Sequence, residues 1–456
     1  MLINITGPQE LLDMHDLVRD MGKGTQEQAD NNNRMWLPMG AQKALNRDEA
    51  EGVNMLAYTG ENGREPVSLH TMPSLHYIFL QNTKIVGNIG KLAPNLIWIK
   101  IRNCEFVSDK YTWLVLRNKL QTVQFDGSWS QVRILSLEEC VRLTRIPNTL
   151  DSLVNLQCLY LQDCRGLTSL PTTVGNLSQL KQFDLRGCAS LTSLPDTVGN
   201  LVQLKELYLG GCADLKSLPN NMGNLVQLQV LNLYGCAGLR ILPNTIGNLA
   251  QLRVLNLHGC TGLQSLPYTV GKLAQLRMLN FHGCSGLGSF HDMVAKLAQR
   301  RELNRSTGLG SLVQRKFNIY LGFRAVEVGE TLVDHLYGSF SSRSLRICRG
   351  REDDQSRDIT WSFSRAIDSS DILVPVFSKG FAKSGICLRK AAAMCRSNGL
   401  IIPLFHDVEP VDVQHPEREE SPYSQAFKNF YSKAHNDDKY DIDRYREALR
   451  QIGSGS

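Results

Sequence analysis

The chain has 456 residues, of which 42% are hydrophobic and 21% are charged, and its formal net charge is +6. This length allows two or three domains, and so mild a charge does not by itself indicate a nucleic-acid-binding protein. Its apolar runs are much shorter than the roughly 20 residues of a membrane-spanning helix. The N-terminus also lacks a basic segment followed by a long apolar stretch, so we expect neither a membrane span nor a secretory signal.

Residues 1–33 carry a short recognisable motif, the run Met14-His15-Asp16-Leu17. It resembles the MHD motif of plant nucleotide-binding leucine-rich-repeat immune receptors, where it belongs to a winged-helix subdomain and its His reaches the phosphates of ADP. The resemblance would make His15 a nucleotide-binding residue. The sequence has no G-x-x-x-x-G-K-S/T phosphate loop, however. We therefore expect His15 to be a remnant of the motif and the chain to bind neither ATP nor ADP.

Residues 34–131 show irregular hydrophobic spacing. The run Arg34-Met35-Trp36 resembles the connector that precedes the repeats in the same receptors, and residues 53–58 are predicted as the first strand. Loosely spaced Leu and Ile residues follow. We interpret this region as a connector and irregular N-terminal repeats, since end repeats of a solenoid are often atypical.

Between residues 132 and 301 one phrase recurs every 24 residues, and its fullest copy begins at Leu156. The core of the phrase, L-x-x-L-x-L-x-x-C-x-x-L, is the leucine-rich repeat signature. Leu159 and Leu161 are two residues apart, so they face the same side of a short strand and Tyr160 faces the other. A single repeat cannot bury enough apolar surface to fold alone, which predicts stacked repeats with a parallel sheet on a concave face.

Seven cysteines occupy the same repeat position, where they are expected to bond backbone groups at the bend. They are Cys140, Cys164, Cys188, Cys212, Cys236, Cys260 and Cys284. A zinc site would need closely paired cysteines, and the sequence has no C-x-x-C. We predict no metal site and no disulfides.

The strand positions that face away from the core would read a ligand, and the extended surface of a solenoid suits a protein partner. The predicted partner-binding residues are Tyr160, Gln162, Asp184, Arg186, Glu206, Tyr208, Tyr234, His258 and His282. The alternative is that they are solvated strand positions without a ligand. After residue 301 the repeat ends, and residues 302–316 are predicted to be a basic linker, with a nuclear-localisation signal as an alternative reading.

From residue 317 apolar strands alternate with helices, which predicts a parallel sheet covered on both faces, a flavodoxin-like α/β fold. The runs Tyr320-Leu321-Gly322-Phe323-Arg324 and Pro403-Leu404-Phe405-His406-Asp407 lie in this region. With the segments between them they resemble a plant TIR domain over residues 317–453. The expected fold class is thus α/β: a leucine-rich-repeat solenoid followed by a flavodoxin-like TIR domain.

TIR domains of plants cleave NAD⁺ through a Glu in a run of the form Trp-Cys-Leu-x-Glu, and the matching run here, Ile386-Cys387-Leu388-Arg389, ends in Lys390. The resemblance therefore places Lys390 at the catalytic position. A cation there cannot stabilise the oxocarbenium-like centre that forms as nicotinamide leaves. We expect impaired catalysis, no required cofactor, and NAD⁺ as a substrate only if the domain is active.

The same resemblance assigns Asp334, His335 and Tyr337 to the face by which plant TIR domains associate. The sequence therefore predicts an intracellular immune-receptor-like signalling protein, located in the cytoplasm with the nucleus as an alternative. Its expected partners are a protein ligand on the repeats and other TIR-domain proteins, with no membrane or nucleic acid. The alternatives are an active NAD⁺ nucleosidase in defence signalling and a decoy that lowers the activity of intact TIR proteins.

Overall fold

The computed structural model describes seven strands within residues 34–107, and then residues 130–306, 316–350, 359–433 and 436–454. The MHD-like run with His15 lies outside the described residues, as do residues 307–315 of the predicted linker. Among the helices that the structure describes, none is both long enough and apolar enough to cross a bilayer.

The dominant element is one parallel sheet of 16 strands that runs through both halves of the chain. Its first four strands are β1 (Arg34–Leu37), β2 (Met55–Thr59), β4 (Tyr77–Gln81) and β6 (Trp98–Arg102). Their paired residues are 21 or 22 positions apart, from Arg34 to Met55, Met55 to Tyr77 and Tyr77 to Trp98. The strand predicted at residues 53–58 is present as β2, but it is not the first strand, because β1 precedes it and pairs with it in parallel. Such pairing depends on backbone groups, which hydrophobic spacing does not reveal. A second, three-stranded sheet contains β3 (Pro66–Ser68), β5 (Lys84–Val86) and β7 (Glu105–Val107).

The regular repeats supply the next seven strands in order. These are β8 (Ile134–Glu138), β9 (Cys158–Tyr160), β10 (Gln182–Asp184), β11 (Glu206–Tyr208), β12 (Val230–Asn232), β13 (Val254–Asn256) and β14 (Met278–Asn280). Each residue pairs with the one 24 positions later, as Phe183 does with Leu207. The central residue of each three-residue strand, β9 to β14, is completely buried, as Leu231 is. The stacked parallel solenoid is therefore confirmed.

Opposite the strands, each of the first six repeats forms a short 3-10 helix directly after its Leu-Pro or Ile-Pro pair. The helices span Asn148–Ser152, Thr172–Asn176, Asp196–Asn200, Asn220–Asn224, Asn244–Asn248 and Tyr268–Lys272. Proline is suited to this place because its fixed φ leads the chain into the turn and it needs no hydrogen-bond acceptor for its nitrogen. This wall and the sheet enclose the leucine core.

The repeat cysteines bond to the backbone, as predicted. Six of them donate their thiol to a leucine carbonyl of the preceding repeat, for example Cys164 to Leu137 at 2.8 Å and Cys236 to Leu209 at 3.1 Å. Burial raises the pKa of Cys236 to about 12. Every cysteine that the structure describes is a free thiol. Burial also raises the pKa values of Cys188 and Cys212, so these three thiols stay protonated as donors. The thiol–carbonyl bonds order the bend that follows each strand.

The solenoid ends in a true helix, α1 (Phe290–Ser306), at the point where Phe290-His291 replaces Leu-Pro. Val294 and Leu297 of α1 are buried against the last repeat, and the Arg301 guanidinium donates to the Leu276 carbonyl at 3.3 Å. Residues 302–306 belong to this helix, so the prediction that the linker begins at residue 302 was wrong. Loss of the proline allowed a longer helix to form and to cover the open end of the core.

The C-terminal domain, residues 316–454, alternates strands with helices as predicted. Its strands are β15 (Phe317–Gly322), β16 (Ile347–Gly350), β17 (Ser370–Phe377), β18 (Leu400–Ile401) and β19 (Leu404–Phe405), and its helices are α2 (Ala325–Ser341), α3 (Ile359–Asp368), α4 (Gly385–Arg396), α5 (Pro410–Gln414), α6 (Ser424–Lys433) and α7 (Asn436–Ser454). The strand order β18-β17-β15-β16 is all parallel, and β17 is buried along its entire length. The flavodoxin-like fold class is therefore confirmed.

The two halves are joined at a sheet edge. Strand β14 of the last repeat pairs in parallel with β18, through Met278 and Ile401. The Ile401 backbone N–H donates to the Arg277 carbonyl at 2.7 Å. This junction brings the C-terminal domain against the outward-facing residues of the last repeats.

Candidate functional site

The outward-facing residues of strands β8–β14, called the strand face below, divide into an open part and a covered part. The open part lies on β9–β11 and is linked by side-chain hydrogen bonds between repeats. The Tyr160 hydroxyl donates to Gln182 Oε1 at 2.6 Å, and Gln182 Nε2 donates to Glu206 Oε2 at 2.9 Å. Glu206 Oε2 also accepts the Tyr208 hydroxyl at 3.1 Å. The network holds two tyrosine rings in fixed positions on the surface.

A second group on the open part is built on Asp184, whose side chain is only 2% exposed. Arg186 contacts both of its oxygens, with Nη2 at 2.6 Å from Oδ2 and Nε at 3.0 Å from Oδ1. Gln162 Nε2 donates to Oδ2 at 2.5 Å. Arg186 also lies 5.3 Å from the centre of the Tyr208 ring, while about half of its own side chain stays exposed. Tyr208 and Arg186 together resemble the preorganised anchors that dominate protein interfaces.

Burial raises the pKa values of Tyr160 and Tyr208 well above that of a free tyrosine. The nearby Glu206 carboxylate raises both further. Both hydroxyls therefore remain protonated and act as neutral donors. The open part can offer aromatic area, one cation and fixed polar groups, which is what a protein ligand requires.

The covered part of the strand face lies on β13 and β14. Val254, Asn256, Met278 and Asn280 are all buried there, between 0% and 8% exposed. Asn256 Nδ2 donates to the Ser454 carbonyl of α7 at 2.8 Å. The expectation that all outward strand positions form an accessible surface was therefore wrong for these two strands. The C-terminal domain supplies apolar and carbonyl partners that the repeat pattern could not show.

An aromatic stack crosses from the open part to the C-terminal domain. Tyr234 and His258 stack at 5.0 Å, His258 and His282 at 5.4 Å, and His282 meets Phe405 of β19 edge-on at 5.2 Å. Burial lowers the pKa of His258 to about 4, and the neighbouring His282 lowers it further in the same direction. Burial also lowers the pKa of His282, against the opposing effect of Glu409. Both rings are therefore neutral at physiological pH, which keeps the stack free of repelling charges.

The predicted catalytic position, Lys390, lies on α4 beneath the carboxyl edge of the C-terminal sheet. Its side chain is 2% exposed, and Nζ donates to the Gly350 carbonyl at the end of β16 at 3.1 Å. The ammonium lies 6.0 Å from the centre of the Phe363 ring of α3. The buried Tyr320 hydroxyl approaches the same glycine, and it has no hydrogen-bond partner among the described residues. Lys390 thus ties two elements of the sheet edge together.

The predicted association residues lie together on α2. Asp334 and His335 are exposed and Tyr337 is half-buried. Arg349 of β16 contacts two of them: its Nη1 lies 2.8 Å from Asp334 Oδ1, and its guanidinium lies 3.7 Å from the centre of the Tyr337 ring. The His335 ring meets His291 of α1 edge-on at 5.3 Å. This α2 face therefore contacts the solenoid end at its margin and remains accessible elsewhere.

Sequence reasoning did not identify Arg349 or the partners of Lys390. Arg349 lies on β16 next to α2, and this position brings it to Asp334 and Tyr337. Gly350 could have been suspected from the opening β-α-β order, since strand ends in such folds line the ligand site. His15 cannot be placed relative to either site because it lies outside the described residues.

A family model described as leucine-rich repeat region matches residues 112–240 and 220–373, which together make up more than half of the chain. The chain belongs to the leucine-rich repeat family. A second model, described as TIR domain, matches residues 316–456. The two matches overlap at residues 316–373, where the structure has the alternating strands and helices of the C-terminal domain. The C-terminal domain is therefore a TIR domain that follows the repeats.

Several plant proteins are similar to parts of this leucine-rich repeat and TIR protein. "TMV resistance protein N" of Nicotiana glutinosa is 26% identical over 146 residues, which are 30% of this chain and 12% of that protein. "Probable disease resistance protein RPP1" of Arabidopsis thaliana is 36% identical over 143 residues, again 30% and 12%. "Probable 2' cyclic ADP-D-ribose synthase BdTIR" of Brachypodium distachyon is 27% identical over 108 residues, 23% of this chain and 47% of that protein. The chain thus spans a small part of the two resistance proteins and about half of the third.

Proposed function

We propose that this protein is an intracellular plant immune-receptor-like signalling protein. Its repeats recognise a protein ligand on the open part of the strand face, and its TIR domain associates with other TIR domains while cleaving NAD⁺ poorly or not at all. The similarity to two proteins named for disease resistance supports the immune role.

Lys390 is the observation that carries the proposal of impaired catalysis. A group that stabilises a developing cation must be an anion or a dipole with its negative end towards the reacting centre. Lys390 presents an ammonium, and two unit charges about 4 Å apart interact by about 4 kcal/mol at an effective dielectric constant near 20. Since each 1.36 kcal/mol is roughly tenfold in rate, repulsion of this size would slow cleavage by about three orders of magnitude. The sequence between Asp371 and Asp407 offers no Asp or Glu as a replacement.

The recognition role is supported by the chemistry of the open part. Tyr160 is bonded to Gln182 of the next repeat, Tyr208 to Glu206 and Arg186 to Asp184. Little side-chain entropy therefore remains to be lost when a ligand binds. The same feature argues against the alternative of solvated positions, because solvated side chains need no network across repeats.

The association role is supported by the position of the α2 face. The TIR domain turns β18 and β19 towards the repeats, whereas Asp334 and His335 lie on α2 and remain exposed. A second TIR domain could therefore reach α2 without separation of the TIR domain from the repeats.

A second candidate function is NAD⁺ cleavage with a different acid. The similarity to a protein named as a cyclic ADP-D-ribose synthase favours it. The buried Tyr320 hydroxyl beside Gly350 adds a polar group at the same sheet edge.

The deciding experiment measures NAD⁺ consumption by the purified full chain at high protein concentration, with an active TIR protein as the positive control. Light scattering on the same sample reports self-association, and an α2 variant, His335→Ala with Asp334→Ala, tests the surface. A protein that self-associates through α2 without consuming NAD⁺ supports the proposal. Turnover by the native chain would refute impaired catalysis and select the second function.

A further inference from the structure

One residue directly precedes each of the strands β8–β14, and these seven residues form what we call the rim row. It consists of Arg133, Gln157, Lys181, Lys205, Gln229, Arg253 and Arg277. Five of the seven are cations and none is acidic. The row lies along one edge of the strand face and includes none of the residues of the open part described above.

The rim row is regular because its backbone belongs to the ladder of the sheet. The Lys205 N–H donates to the Lys181 carbonyl at 2.8 Å, and the Arg277 N–H donates to the Arg253 carbonyl at 2.7 Å. Neighbouring parallel strands lie about 4.8 Å apart, so the six intervals of the row span roughly 29 Å. The residues of the rim row thus form a single file of fixed spacing, in which Gln157 and Gln229 separate the cations.

The charges of the rim row form no ion pairs within the described residues. In the parts of the chain that the structure describes, no salt bridge involves a member of the rim row. Lys181 Nζ instead donates to the Gln157 amide at 3.2 Å. Glu206, on the adjoining strand position, is already bonded to Gln182 and Tyr208. Like charges that face each other on neighbouring strands destabilise a sheet. Proteins keep such unfavourable arrangements mainly at functional sites, so the row of cations indicates a binding site.

A second row lies beside the first. The residue two positions before each rim residue from β9 onward carries an amide, and a buried leucine lies between the two. These amides are Asn155, Gln179, Gln203, Gln227, Gln251 and Gln275. All six are at least partly exposed. Amide N–H groups and Lys or Arg cations both donate to carboxylates, so the two rows together form a strip of donors.

We propose that the rim row binds a helical segment of a protein partner that carries a stripe of Asp and Glu side chains. This inference rests on the proposed recognition role and names the chemistry of the ligand. Residues three or four apart on an α-helix are about 4.5–6 Å apart along its axis, close to the 4.8 Å spacing of the strands. A helix of about 20 residues is 30 Å long and would match the whole row.

The geometry favours an acidic helix over other anions. The phosphates of a B-DNA strand follow one another at about 3.4 Å along the axis, which does not match the spacing of the row. A membrane surface is broad, whereas the cations form one file. Three of its five cations, Arg133, Lys205 and Arg253, are exposed while the TIR domain is in place, and the other residues of the row are half-buried.

The test uses the full chain and a labelled helical peptide of about 20 residues, with Glu at every third or fourth position and Ala and Gln elsewhere. Its control peptide has Gln in place of each Glu. Binding is measured by fluorescence anisotropy at low and physiological salt. We expect the Glu peptide to bind, the Gln peptide to bind weakly, and salt to weaken binding.

Two paired variants locate the site. Lys181→Glu with Lys205→Glu reverses two neighbouring rim charges and is expected to weaken binding by about tenfold or more. Lys216→Glu with Arg240→Glu is the matched control, since these exposed cations also lie on consecutive repeats but outside the row. Circular dichroism confirms that both variants are folded. Equal loss in the two variants, or no loss in either, would overturn the inference.

Two further measurements separate the remaining outcomes. The first measures how strongly a single-stranded oligonucleotide or phosphatidylserine vesicles displace the labelled Glu peptide. Stronger displacement than by unlabelled Glu peptide would overturn the choice of an acidic helix. The second measures peptide binding by Arg186→Ala. If this variant loses binding and the rim variants do not, the peptide lies on the open part of the strand face. That result would overturn the rim site and leave the recognition role intact. The NAD⁺ experiment depends on neither result.

Discussion

Replacement of Lys390 tests whether a buried cation has a structural role at the predicted catalytic position. The side chain is 2% exposed, and its Nζ donates to the Gly350 carbonyl at 3.1 Å. Lys390→Met keeps most of the volume but removes this donor, and a buried acceptor that loses its partner costs about 1–3 kcal/mol. Lys390→Glu also places a carboxylate against that carbonyl, and an uncompensated buried charge costs about 3–5 kcal/mol.

We therefore expect the free energy of unfolding to decrease from the native chain to Lys390→Met and further to Lys390→Glu. A domain of ordinary stability unfolds with about 5–15 kcal/mol, so the Glu variant would lose a large fraction of it. Urea-induced unfolding followed by circular dichroism measures the three free energies, and Lys379→Met, at an exposed position after β17, serves as the control. If Lys390→Glu proved as stable as the native chain, the buried hydrogen bond would not be important for the fold. Restored NAD⁺ cleavage in a stable Lys390→Glu variant would show that this sheet edge still accepts the family's acid.

Three other changes probe the repeats and the junction. The pKa of His258 is lowered to about 4 by burial and the adjacent histidine, whereas an unfolded histidine titrates near 6.5. Protonation therefore favours the unfolded chain as pH falls from about 6.5 towards 4, and we expect the melting temperature to fall over this window, less steeply in His258→Phe. Met278 is buried under the TIR domain, so Met278→Asp should raise hydrogen exchange in α7. Val226 is 49% exposed, so Val226→Asp should not. Equal exchange in the two variants would contradict the docked arrangement. Gly211 has φ of +78° with no close contact to an added Cβ, so Gly211→Ala should lower the free energy of unfolding by about 1 kcal/mol. Gly210→Ala should change it by no more than about 0.5 kcal/mol. Chemical unfolding measures both, and similar values would refute a conformational cause.

The repeats were predictable because their signal is local and repeated. The spacing of Leu159, Leu161 and Cys164 recurs every 24 residues, and each copy meets its successor in the same register. The strands before residue 130 were harder to predict, although those of the main sheet pair at intervals of 21 or 22 residues. Pairs such as Arg34 with Met55 are made by backbone groups, so a strand can form there without the repeat phrase.

The candidate sites were predictable only in part. Alternation along a strand indicated that Tyr160 and Tyr208 face away from the core, but not that Gln182 and Glu206 connect them across repeats. The family motif drew attention to Lys390, whereas its burial depends on β16 and α3, which are supplied by other parts of the chain.

The sequence by itself determined the two parts of this protein, a leucine-rich solenoid and the TIR domain that follows it, and it predicted that Lys390 occupies the catalytic position of the TIR fold. Both conclusions depend on residue types at fixed spacings in the sequence, and these spacings do not depend on tertiary contacts. The tertiary structure alone decided that the TIR domain continues the sheet of the repeats and buries the outward residues of their last two strands. Met278 and Ile401 are paired although more than a hundred residues separate them in the chain. Such a contact depends on the shape and polarity of two folded surfaces. Because the repeat sequence is nearly the same in every copy, it does not show which repeats the TIR domain will cover.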